Sequence, residues 1–185
     1  MMRGKIALVS TLLVGLGACQ HIGPSGAESQ ALEPEGRVLV HGGLRGPSAS
    51  FGADRVIGPT INMTRGADGE WVGWLRGVAL NLAVADGQIS SSTLTMNVQE
   101  LSDGIEIRGL WNAEPPGLGD QISIRVTRKE LYVREPFVNP PVYLEGIGEG
   151  SYGTGRFGNS VELIGTAAQL HPPQPQFALA LLAAF

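Results

Sequence analysis

The side chains best suited to chemistry are few in this chain, and they are scattered. His21, His41 and His171 are its three histidines. None stands at metal-ligand spacing from another histidine, a cysteine or a carboxylate cluster, so no metal is expected. A serine nucleophile needs a base and an orienting group, and no Gly-x-Ser-x-Gly elbow occurs, so no catalytic residue is assigned. Glu106, Glu145 and Glu162 each alternate with apolar neighbours, which places them on a solvent face rather than in an acid–base pair. The stronger candidates are contact residues. Trp71, Trp74 and Trp111 combine large contact area with a polar handle suited to a ligand or partner. On one regular strand Trp71 and Trp74 point to opposite faces, so one belongs to the core and the other is available outside. Arg125, Arg128, Lys129 and Arg134 form the one local basic cluster, suited to anionic lipid head groups or the acidic face of a partner.

Two overlapping G-x-G-x-x-G patterns run from Gly148 to Gly153 and from Gly153 to Gly158. The second resembles the glycine-rich loop of protein kinases, but its valine, Val161, falls three residues after the last glycine instead of two. No lysine follows to pair the phosphates, and too little chain remains for the metal-binding parts of that family. No helix is predicted to present its N-terminus to a pyrophosphate, as a dinucleotide fingerprint requires. The expectation is a glycine-rich hairpin, with no nucleotide and no other cofactor.

The remaining reactive residue is Cys19, the only cysteine. Arg3 and Lys5 precede an uncharged stretch from Ile6 to Leu16, followed by Leu16-Gly17-Ala18-Cys19. The stretch is too short to cross a bilayer, which takes about twenty helical residues, and suits the apolar region of a signal peptide. These residues resemble the lipobox of bacterial lipoprotein precursors. The resemblance implies cleavage before Cys19 and acylation of that residue, hence a membrane partner held through lipid. Several acyl chains anchor firmly where one binds weakly. Gln20 stands where the family's inner-membrane retention signal places Asp, which implies passage to the outer membrane. The competing reading is an ordinary secretory signal, which would leave an unpartnered reactive thiol in an exported protein.

These groups must be carried by a chain rich in turns. Glycine contributes 27 of the 185 residues and proline 12, well above the usual glycine share. Without residues 1–18, which hold Arg3 and Lys5, eleven basic residues face seventeen acidic ones. That acidic balance argues against nucleic-acid binding, which needs a clustered basic footprint.

Residues 19–36 have little apolar periodicity and read as a tether. From residue 37 to 185 the chain reads as one β-rich domain. Asp68-Gly69, Asp86-Gly87 and Asp103-Gly104 mark tight hairpin turns. Val78, Leu80, Leu82 and Val84 alternate with smaller or polar residues, as do Leu94, Met96 and Val98, then Ile105 and Ile107, then Ile122, Ile124 and Val126. Period two with one wetter face marks antiparallel strands half-buried on a core. Ser90-Ser91-Ser92 reads as a polar strand start, Arg128-Lys129-Glu130 as a turn, Pro115-Pro116 and Pro140-Pro141 as loops, and Val161 to Ala168 as a strand. Gln176 to Phe185, led by Pro175, reads as a short, largely buried helix. A strand with Phe177, Leu179 and Leu181 on one face is the alternative.

The expected fold is therefore mostly β: an antiparallel meander forming a sandwich or open barrel, with a short C-terminal helix. The expected function is that of a membrane-anchored envelope lipoprotein with a non-enzymatic binding, scaffolding or envelope-assembly role and an envelope protein as partner. A lipocalin-like carrier of an apolar ligand is one alternative. A hydrolase whose site assembles only in three dimensions is another. An integral barrel is disfavoured, because aromatic residues make up only 6% of the chain and two interfacial girdles would need more.

Overall fold

The computed structural model describes residues 34–42, 48–111, 120–136, 138–153, 158–170 and 175–185. The leader, Cys19, the tether as far as residue 33, His171 and Pro115-Pro116 lie outside them, and Gly36, read as the last tether residue, already belongs to the first strand. The described strands form a single antiparallel meander: β1 (Gly36–His41), β2 (Ala49–Phe51), β3 (Arg55–Gly58), β4 (Ile61–Arg65), β5 (Trp71–Leu75), β6 (Val78–Ala85), β7 (Gln88–Ser90), β8 (Leu94–Leu101), β9 (Gly104–Trp111), β10 (Asp120–Thr127), β11 (Glu130–Glu135), β12 (Val138–Gly148), β13 (Ser151–Gly153) and β14 (Ser160–Gly165). Each pairs with the next, and β1 pairs with β14 from Gly36 opposite Gly165 to His41 opposite Ser160. The sheet is therefore a closed barrel, which leaves no unpaired outer edge.

The antiparallel meander read from the sequence is borne out, with the alternating segments forming β6, β8, β9 and β10. Asp86-Gly87 joins β6 to β7 with both residues at positive φ, 49° and 77°, the turn whose twist matches its strands. Leu80, Leu82, Leu94 and Met96 all face the core. Arg76-Gly77 makes the same kind of turn between β5 and β6, with φ of 51° and 78°. Arg128 and Lys129 turn the chain between β10 and β11.

Four local readings are corrected. Asp103-Gly104 is not a positive-φ turn: Gly104 begins β9 opposite Thr127, where a Cβ would collide with the Val126 carbonyl. Ser90 ends β7, and the Ser91 hydroxyl accepts from the Thr93 and Leu94 amides to fold the next turn. Pro140 and Pro141 lie inside β12, in the stretch between Val138 and Val142 where the register with β11 shifts and no ladder donor is required. Gly165 ends β14 at a φ of 67°, and residues Thr166–Gln169 form a short helix, α1, instead of prolonging the strand.

The C-terminal segment is helical, α2 (Pro175–Ala184). Proline at its first turn and the following Ala and Leu residues favour a helix. It has no polar face: every residue from Phe177 to Phe185 is buried. A helix that is apolar all round must be surrounded by protein, and here the barrel surrounds it. Pro175 and Gln176 lie beside Arg65, Asp68 and Trp71 at the mouth formed by the β4–β5 loop. At the other end the Thr60 hydroxyl, on the β3–β4 turn, donates to the Ala183 carbonyl at 2.7 Å. These two turns belong to opposite mouths, so α2 threads the barrel over about 15 Å. Phe177 meets Phe51 of β2 with ring centroids 5.8 Å apart, and the inward side chains of the strands pack with the helix in one core.

Candidate functional site

Two regions of the barrel carry polar or exposed groups beyond what packing needs. The first is the mouth where α2 ends. Arg76 reaches inward from the β5–β6 turn and donates to the Leu182 carbonyl at 3.1 Å. A cation at a helix C-terminus meets the negative end of the helix dipole and satisfies a carbonyl that has no partner within the helix. The same guanidinium lies 2.8 Å from Glu135, an inward residue at the end of β11 whose side chain is wholly buried. Burial pushes the Glu135 carboxyl up to about 7, against the pull of Arg76. Its second oxygen, Oε2, has no hydrogen-bond partner among the described residues.

The second region is the outer wall. On β9 to β12, Glu106 receives hydrogen bonds from Arg108 and Arg125, and Arg125 also lies 3.7 Å from Glu130. Glu106 faces outward yet is buried, which corrects its expected solvent-exposed place: two guanidiniums from adjacent strands cover it. The Arg125 hydrogen bond holds its carboxyl below the usual range, opposed by burial and aided by Arg108. Glu130 also accepts from Tyr143, pushing that phenol up. Glu145 and Glu162 are solvent-exposed as read.

The outward positions of β4 to β8 contrast with this. Alternation and pairing bring out Asn62 and Thr64, Val72 and Trp74, Ala79, Asn81 and Ala83, Gln88 and Ser90, and Thr95, Asn97 and Gln99. Not one is charged. Register sets Ile57, Asn62, Trp74 and Ala79 side by side across β3 to β6. Trp74 and its strand neighbour Val72 are exposed, Trp74 by 38% and Val72 by 52%.

The candidate contact residues divide accordingly. Trp71 and Trp111 are core residues, 1% and 3% exposed, and Trp74 alone of the three stands on the outer wall. Arg125, Arg128 and Lys129 share the β10–β11 hairpin, with Arg128 and Lys129 exposed on its turn and Arg125 tied to Glu106. Sequence reasoning missed Arg76, Glu135 and Thr60. A carboxylate at an inward position, Glu135 two residues beyond Val133, was the available signal.

One further combination is of a catalytic kind. Ser160 lies opposite His41, and His41 Nε2 is 3.9 Å from Glu162. That separation exceeds a hydrogen bond, both side chains are about half exposed, and Ser160 makes no hydrogen bond to His41 among the described residues. A nucleophile, base and orienting group must be in hydrogen-bond reach to act together, and this set is not. The glycine pattern from Gly148 to Gly153 is the β12–β13 hairpin, with Gly150 at a φ of 66° in the turn. Most of the second pattern lies outside the described residues. Comparison of the chain with protein-family models, with curated proteins and with solved structures finds no match.

Proposed function

We propose that the protein is a lipid-anchored, non-enzymatic binding module of the cell envelope that works through the outer wall of its barrel. The observation that carries this reading is α2: the barrel interior, where a barrel protein commonly holds a ligand, is occupied by the chain's own C-terminal helix. The outer wall is what remains for recognition, and its outward positions are uncharged on β4 to β8 and carry charges on the strands to either side. The envelope location rests on the lipobox resemblance at Leu16 to Cys19. It is tested by fractionation and mass spectrometry: Cys19→Ser moves the protein from the membrane to the soluble envelope fraction. An unmodified Cys19 in the natural protein overturns the anchor.

A lipocalin-like carrier is the second reading. The fold is compatible with it, and the inner wall already holds one apolar guest, α2. An external ligand would have to displace that helix. A disulfide introduced between α2 and β2, which Phe177 and Phe51 already bring together, would pin the helix in a Cys19→Ser background. The outer-wall reading expects the same response to an apolar fluorescent probe in pinned and reduced protein. Binding that appears only on reduction favours the carrier.

A further inference from the structure

We propose that the uncharged wall of β4 to β6, with Ile57 of β3 at its edge and the outward Arg55 bordering it, rests on the lipid bilayer, with Trp74 seated among the head groups. This deepens the proposed function and rests on its membrane anchor. The argument begins with charge segregation. Outward charges crowd β9 to β12, in Glu106, Arg108, Arg125, Glu130, Arg134 and Glu145, whereas outward positions of β4 to β8 have none. A charged wall rules out a hydrocarbon environment on all sides, because lipid-facing charges near the midplane cost about 2–4 kcal/mol each. It does not oppose contact on one side.

The uncharged side has the composition of an interfacial surface. An exposed indole with Val72 beside it and Ile57 two strands away supplies apolar contact. Asn62, Thr64 and Asn81 around them offer amides and hydroxyls to head groups without the cost of burying charge. Trp is favoured at that depth because its ring is apolar and its N–H is wet. The patch is too small to bind a membrane strongly from solution. It need not do so, because an anchored domain meets the surface at high effective concentration. Sixteen residues separate Cys19 from Gly36 and span at most about 60 Å, whereas an eight-residue strand is about 27 Å long. The anchor thus leaves the barrel free to lie on its side.

The experiment uses the chain from Cys19 onward, which retains the whole compact unit Leu32–Phe185. Its single thiol is coupled to a maleimide lipid in phosphatidylcholine vesicles with plain or brominated chains. This attachment does not depend on acylation in the cell, so failure of the contact and failure of the anchor are read separately, the latter from the mass of the natural N-terminal peptide. Brominated lipid is expected to lower tryptophan emission, and Trp74→Phe to abolish that drop, since Trp71 and Trp111 are inside the barrel. A probe on the charged wall, Tyr143→Trp in the Trp74→Phe background, should show no drop. Absence of quenching in the unmodified sequence, or equal quenching from position 143, overturns the proposal. So does self-association in vesicle-free solution that shields Trp74 from iodide, which would assign the wall to a second copy of the chain.

Discussion

Arg76 and Glu135 meet at 2.8 Å across the mouth of the barrel, one on the β5–β6 turn and the other at the end of β11. The contact joins two distant strands to the last turn of α2 through the Leu182 carbonyl. Arg76 does so from a left-handed backbone conformation, φ 51°, which a branched side chain would adopt only with strain.

Burial raises Glu135 from its ordinary 4.5 to about 7. The folded chain therefore holds this proton more tightly than the unfolded chain. Its stabilising contribution is full below pH 4.5 and is lost as pH rises through 7. The difference amounts to about 3 kcal/mol between those limits. Glu135→Gln should remove that slope, so urea unfolding of the two proteins at pH 8, 6.5 and 5 should converge or diverge accordingly. Parallel pH profiles would show that the carboxylate does not titrate there.

Arg76→Ala removes the partner of a wholly buried carboxylate and a cation from the end of α2. Breaking a buried pair from one side costs about 3 kcal/mol. The loss should be largest at pH 8, where Glu135 would have to carry an uncompensated charge. The double variant with Glu135→Gln should recover part of it. Equilibrium unfolding of the four proteins of this cycle measures the coupling.

Leu179 is fully buried within α2. Leu179→Ala should destabilise the barrel by about 3 kcal/mol, because the strands cannot close around the lost volume. A change below 1 kcal/mol in thermal or urea unfolding would mean that the helix contributes little to the core.

Gly87 turns the β6–β7 hairpin at a φ of 77°, and a Cβ there would stand 2.9 Å from the Val98 carbonyl. Gly87→Val combines left-handed strain with that crowding and should cost about 2 kcal/mol. Asp86→Asn, which tolerates the same backbone, should cost far less. Both are measured by unfolding.

The sequence alone determined the local part of this fold. Alternation in Val78–Val84, Leu94–Val98 and Ile122–Val126 predicts strands because side chains two apart share a face, and Asp86-Gly87 predicts its turn because few residues accept positive φ. The Ala- and Leu-rich end after Pro175 reads as a buried helix for the same local reasons. What encloses that helix was decided only in three dimensions: β1 and β14 are far apart in sequence, and nothing in either strand names the other. Closure turns inward positions toward α2, and so converts Glu135 from one more strand carboxylate into a buried partner of Arg76. Glu106 shows the same limit from outside. Its alternation gives the correct face, but its burial comes from Arg108 on its own strand and Arg125 on the next. The uncharged wall is also a tertiary property. Its residues come from several strands, and only register sets Ile57, Asn62, Trp74 and Ala79 in one row.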